Sequence, residues 1–163
     1  MVEMTQNRTA VPPDSPGVVA MPPFLYAGAF LVVLLCRALW RLPIVERASL
    51  LWPGLALATI AIGIAVWGRR TMVAAGTNVR PSLPATAIVT AGPFRFSRNP
   101  LYCALTLLYL GLTAIVNTWW GIIVLVPLLA VMHVGVVLRE ERYLERKFGE
   151  DYRRYKSSVR RYI

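Results

Sequence analysis

The sequence predicts an all-α integral membrane protein with about four transmembrane helices and a C-terminal cytoplasmic amphipathic helix. Three observations carry this. The 163 residues are 56% hydrophobic, with a mean hydropathy of +0.54, which is too apolar for an ordinary water-soluble domain. The apolar residues are gathered into four blocks, Phe24–Trp40, Ser49–Trp67, Pro100–Val116 and Trp119–Leu138, each near the length a helix needs to cross a hydrocarbon core. The net charge of +10 lies mainly between and after these blocks.

Residues 1–23 carry Pro12, Pro13, Pro16, Pro22 and Pro23 among polar residues and have little to bury, so they read as a disordered tail. A basic region running straight into an apolar core and a small-residue cleavage site is absent there, and the first block is expected to be a retained helix. Residues 24–163 then form a single membrane domain. There is no internal repeat, and no linker is long enough to divide the chain.

The loops set the orientation. Arg69, Arg70, Arg80, Arg95 and Arg98 fall between the second and third blocks, and nine basic residues from Arg139 to Arg161 follow the fourth. The first loop holds Arg41 and Arg47, with Arg37 near the end of its helix, and the third loop holds none. Both termini are therefore expected on the cytoplasmic side. The same distribution explains the positive charge by topology and lipid headgroups, so nucleic acid is not an expected partner.

Within the second block, Thr59/Gly63 and Ala61/Ala65 are spaced to let a neighbouring helix approach. Only Asn117 and Thr118 separate the third and fourth blocks, which predicts a tight antiparallel hairpin with Trp119 and Trp120 at the membrane interface. Pro127 deletes one backbone donor from the fourth helix, a loss that neighbouring groups can offset. Beyond Leu138 the pattern turns amphipathic, with Tyr143, Leu144, Phe148, Tyr152 and Tyr155 recurring at helical spacing and Gly149 as a point of interruption. Cys36 and Cys103 lie inside apolar blocks and read as small hydrophobes, with no disulfide or metal site expected.

The chemistry concentrates at the cytoplasmic ends. The stretch Gly92–Tyr102, GPFRFSRNPLY, opens the third helix, with Pro100 suited to its first turn and Asn99 placed as its N-cap. The chain returns to the same face carrying Glu140 and Glu141. His133 is the single histidine and precedes Glu140 by seven residues, so an unbroken α-helix would show both on one face. An ionisable group at this depth is a functional candidate, with an interhelical hydrogen bond as the alternative. No glycine fingerprint follows a predicted strand.

From about Thr86 to Tyr162, GPFRFSRNPLY followed by a hairpin and EERYLERKFGEDYRRYKSSVRRY resembles the membrane methyltransferase family containing isoprenylcysteine carboxyl methyltransferase and phospholipid N-methyltransferases. The resemblance implies that S-adenosylmethionine is held by the C-terminal helices. The family's His-Pro-x-Tyr motif falls on Asn99, Pro100, Leu101 and Tyr102; its aromatic on Phe94; its backbone-contacting strip on Thr86, Ala87, Ile88 and Val89; and its acid on Glu140, with Glu141 adjacent. These types suit the ligand, since carboxylates pair with amino or hydroxyl groups and aromatic faces with adenine or a sulfonium. Glu140, Arg98 and His133 are the candidate catalytic residues.

Two departures separate this sequence from the family pattern. Asn99 stands where eukaryotic relatives carry histidine, and Val136 and Val137 occupy the turn where carboxyl methyltransferases place an arginine, while Arg139 points elsewhere. The implied activity is methylation of a lipophilic or small acceptor, through a thiol, amine or carboxylate, at the cytoplasmic face. A nicotinamide-dependent sterol-reductase-like enzyme and a non-catalytic membrane protein binding lipid or a partner are the alternatives. The sequence leaves the acceptor and the oligomeric state open.

Overall fold

The computed structural model describes residues 14–45, 49–80 and 83–162. They form α1 (Pro22–Leu39), α2 (Leu51–Ala74), a 3-10 turn (Gly92–Arg95), α3 (Pro100–Val116), α4 (Trp120–Met132), a π turn (His133–Val137), α5 (Leu138–Phe148) and α6 (Glu150–Ser158). Among the described residues there is no strand. Three helices are long and apolar enough to cross a membrane, namely α1, α2 and the continuous rod Trp120–Phe148. The third apolar block becomes α3, a shorter helix of 17 residues.

Part of the expected tail has a fixed place. Residues 1–13 lie outside the described residues, but Asp14 accepts hydrogen bonds from the Tyr143 hydroxyl at 2.7 Å and from the Lys147 ammonium at 2.7 Å. The Gly17 carbonyl accepts from Arg139 at 2.8 Å, and the Val19 amide donates to the Gly135 carbonyl at 3.2 Å. Gly135 makes room for this segment, since a Cβ there would meet the Val19 side chain at 3.1 Å. The segment counted as tail up to residue 23 is thus docked from Asp14 onward, because its acceptors meet cations that the rod leaves exposed.

The most extensive helix pairing is α2 with α3, and glycine is the reason. Gly54, Ala61 and Gly68 recur every seventh position and are buried. A Cβ on Gly54 would come 2.7 Å from the Gly111 carbonyl oxygen, so the two backbones touch. The expected Thr59/Gly63 contact does not form: Gly63 has nothing within 4 Å, and the Thr59 hydroxyl turns back to the Leu55 carbonyl. Ala61, from the other expected pair, is 1% exposed.

The hairpin between α3 and α4 turns on Asn117, which adopts the left-handed conformation at φ 49°. Its side chain also accepts from the Ile44 and Val45 amides and donates to the Val45 carbonyl, tying the α1–α2 connection to the hairpin. Gly121 lets the helices close, leaving its carbonyl to accept from the buried Tyr109 hydroxyl at 3.0 Å. The core gathers Tyr26, Val33, Tyr109, Leu128, Met132 and Val136. Pro127 lies within α4.

Beyond Met132 the rod loosens into the π turn and then resumes as α5. A π turn accommodates extra residues and changes the angular relation between what precedes and follows it. Gly149, at φ 56°, separates α5 from α6, so the amphipathic stretch forms two helices.

Candidate functional site

The site begins at Gly92. Its φ of 58° and its closeness to Thr71, whose Oγ1 would lie 2.6 Å from a Cβ, both call for glycine. The following 3-10 turn buries Pro93 and Phe94, and Pro100 starts α3 as the sequence predicts. Asn99 holds the N-cap position, but its side chain does not cap the helix. Its amide instead donates to the Arg161 carbonyl at 2.9 Å, while Ser97 Oγ accepts from the Asn99 backbone N–H at 3.1 Å. The cause is the segment after α6, which lies along residues 97–99 and competes for the asparagine; the Arg98 amide likewise donates to the Arg160 carbonyl at 2.9 Å.

This segment also divides the acidic pair. Glu141 is 6% exposed and receives Arg161 through two parallel hydrogen bonds, Nε to Oε1 and Nη2 to Oε2, each 2.9 Å. Arg98 Nη1 stands 3.1 Å from the same Oε1. Two guanidinium groups offset the cost of burying this carboxylate, and both its oxygens are committed. The bond to Glu141 holds the Arg161 guanidinium above its ordinary pKa. Glu140, half-buried, accepts a hydrogen bond from the Tyr102 hydroxyl at 2.7 Å.

Two further phenols fasten α6. Tyr155 donates to the Phe94 carbonyl at 2.8 Å, and Tyr152 is 2% exposed. Burial pushes the Tyr152 phenol up to about 12 and raises that of Tyr155 too, so both stay protonated at neutral pH.

Glu140 borders two adjoining cavities. One of about 90 Å³ is walled by Ala87, Ile88 and Val89, by Phe94, Arg98 and Asn99, and by Glu140 and Glu141. It shares Phe94, Arg98, Asn99 and Glu140 with a neighbour of about 380 Å³, where Pro100, Leu101 and Tyr102 form further wall. Arg98, with a side chain 8% exposed, borders both. Its Nε and Nη1 find no hydrogen-bond acceptor among the described residues, although Nη1 keeps its ionic contact with Glu141. Arg80, which the sequence offered only as a loop charge, borders the same two cavities.

Most of the residues singled out from sequence therefore meet around one space. Thr86 does not border it; its hydroxyl donates to the Gly76 carbonyl at 2.7 Å and its amide to Thr77 Oγ1, which braces the loop. Arg95 is exposed. His133 stands apart as well, and its expected place on the face of Glu140 is corrected by the intervening π turn. It borders a third cavity of about 680 Å³ formed with Tyr26, Thr106, Leu129 and Val137, and its Nδ1 lies 2.7 Å from the Tyr162 hydroxyl. Tyr102 borders both this cavity and the one holding Arg98 and Glu140.

Val136 and Val137 are 0% and 1% exposed, so their turn has no room for a charged side chain. Arg161 and Tyr162 escaped the sequence reading because their partners lie 20 and 29 residues away, and no local pattern distinguishes them from other tail residues.

Residues 49–151, more than half of the chain, match the family model described as phospholipid methyltransferase. An uncharacterized protein from Haemophilus influenzae is 39% identical over 66 residues, which is 39% of this chain and the whole of that protein. No solved structure matches.

Proposed function

Because this chain belongs to the phospholipid methyltransferase family, we propose that it is a membrane enzyme that methylates a lipophilic or small acceptor at the cytoplasmic face, using S-adenosylmethionine. The observation that carries the reading is that Glu140 and Arg98 border one cavity, the arginine with its buried Nε unsatisfied. A carboxylate beside a guanidinium with spare donors is the complement of a free α-amino acid, which S-adenosylmethionine carries at one end. The residues present fit that group: Glu140 would hold its ammonium, Arg98 its carboxylate, and Phe94 and Tyr102 its adenine or sulfonium.

The bound cofactor supplies an electrophilic methyl group on a positively charged sulfur. The chain supplies placement. Tyr102 holds the Glu140 carboxylate by its hydroxyl and borders both the 380 Å³ cavity of Arg98 and Glu140 and the 680 Å³ cavity of His133. In-line displacement depends on bringing nucleophile and methyl into line in a dry space, and the apolar walls favour both. Glu141, expected to contact the cofactor, serves in this reading by holding Arg98 and Arg161. Asn99 retains its place on the cavity wall while its amide secures the segment after α6. Four crossings with both ends cytoplasmic follow from the positive-inside pattern.

Titration calorimetry on the folded protein in detergent tests this with S-adenosylhomocysteine, the demethylated product. Binding at micromolar to submillimolar concentration is expected, with loss in Glu140→Ala. Tight binding of NADPH in place of S-adenosylhomocysteine would favour the reductase alternative. Failure of both ligands to bind would leave the lipid- or partner-binding alternative.

A further inference from the structure

We propose that His133 takes the proton of an uncharged nucleophile in the 680 Å³ cavity and that Tyr162 positions its ring, which makes the acceptor a neutral thiol or amine on an apolar body. This rests on the methyl-transfer reading above. His133 lies within the residues that match the family and Tyr162 beyond them.

The cavity has the volume of a small-molecule site. Its walls come from α1, α2, α3 and α4, from the π turn and from Tyr162. Among the described residues that line it there is no Asp, Glu, Lys or Arg. A carboxylate placed there would lose its hydration with no counter-charge in return, whereas a neutral thiol or amine is desolvated at far smaller cost. A neutral nucleophile of this kind brings a proton that must leave as it is methylated.

The polar groups of the cavity narrow where that proton can go. The Thr106 hydroxyl donates to the Tyr102 carbonyl at 3.0 Å and so accepts from the Tyr26 hydroxyl at 2.6 Å, the Cys103 thiol stands 3.8 Å from Ser97 Oγ, and the Tyr102 hydroxyl is given to Glu140. His133 is the basic group that remains, with one ring nitrogen facing Tyr162. When Nδ1–H donates to the Tyr162 oxygen, Nε2 keeps its lone pair and can accept a proton. Tyr162 is itself held by its neighbour, since Arg161 is anchored through its carbonyl to Asn99 and through its guanidinium to Glu141. In the step, the nucleophile's lone pair forms the new bond to the methyl carbon as the sulfur–carbon bond breaks with its electrons on sulfur. The nucleophile's proton passes to His133 Nε2 and then to water.

His133 is the single histidine of the chain, so nitrogen-15 labelling of histidine gives one imidazole to follow by magnetic resonance. The full chain in detergent, saturated with S-adenosylhomocysteine, is titrated in parallel with decanethiol, with butylaniline, which is uncharged at neutral pH, and with decanoate. The ring signals should move with the thiol or the aniline and not with decanoate; which neutral probe acts assigns the nucleophile. Tyr162→Phe should keep S-adenosylhomocysteine affinity, alter the tautomer signature of the ring and lower kcat about tenfold with little change in KM, and His133→Gln should lower kcat by about a hundredfold or more.

Decanoate shifting the ring as much as the neutral probes would overturn the proposal, as would a Tyr162→Phe protein with the parent's ring signals and turnover. If the parent protein fails to bind S-adenosylhomocysteine, the methyl-transfer reading falls and takes this inference with it. If it binds that ligand but neither neutral probe reaches His133, this inference alone falls.

Discussion

Glu141 and Arg161, 20 residues apart, meet in a two-pronged ion pair with both N–O distances at 2.9 Å, and this pair fastens the segment after α6 across the start of α3. Arg98 touches the same carboxylate at 3.1 Å, so one buried anion holds a loop and a tail in register. Glu141→Gln should leave the buried Arg98 without a counter-charge and cost about 3 kcal/mol, read as a lower midpoint of thermal unfolding in detergent. Arg161→Ala should cost only about 1 kcal/mol, because its side chain is 34% exposed and water compensates part of the loss.

Tyr102 and Glu140 form the hydrogen bond that aims the carboxylate at the cavity. Tyr102→Phe removes a bond to a charged acceptor and should weaken S-adenosylhomocysteine binding about tenfold, since such bonds contribute about 1.5–3 kcal/mol. Calorimetry gives the Kd directly.

Arg98→Lys keeps a positive charge but loses the planar fork. If Arg98 receives the amino-acid carboxylate, S-adenosylhomocysteine binding should fall about tenfold or more. Methylthioadenosine, which lacks that end of the molecule, should bind the parent and variant equally, and an equal loss for both ligands would assign Arg98 a purely structural role.

Gly54→Ala should destabilise the fold by about 2 kcal/mol, because the added methyl meets the Gly111 carbonyl and the backbone cannot yield cheaply. Gly63→Ala meets nothing within 4 Å, and its unfolding midpoint should match the parent's or exceed it slightly. Paired thermal scans decide between the seam seen in the fold and the Thr59/Gly63 spacing.

The Asp14 contact carries a pH dependence of defined sign. Hydrogen bonds from Lys147 and Tyr143 hold the Asp14 carboxyl below its ordinary value of 3.8. Its contribution to docking residues 14–21 is therefore fully present above that value and fades as pH falls through the lowered one. Amide exchange at Val19, whose N–H is bonded to Gly135, should be faster in Asp14→Asn than in the parent at neutral pH, with the two converging in acid.

Much of the helical framework was legible because it depends on neighbours in sequence. Apolar blocks, Pro100 at a helix start and the two-residue link at Asn117 and Thr118 each specify local geometry, and the helices follow. The Gly54/Gly111 contact was not legible, since a glycine on one helix reveals nothing of what faces it on another. The relation of His133 to Glu140 failed for a different reason: seven residues place both on one face of an α-helix, and a π turn between them breaks that arithmetic.

By itself, then, the sequence determined an all-helical membrane protein with its polar chemistry gathered at Gly92–Tyr102 and at Glu140/Glu141, because hydropathy and helix-start chemistry act over a few residues. Only the tertiary structure decided which carboxylate stays available. Glu140 and Glu141 are adjacent and chemically alike, yet Glu141 is consumed by Arg98 and Arg161 while Glu140 faces the cavity. That difference arises where distant segments meet, since a buried charge must be paired by whatever cation the fold brings to it.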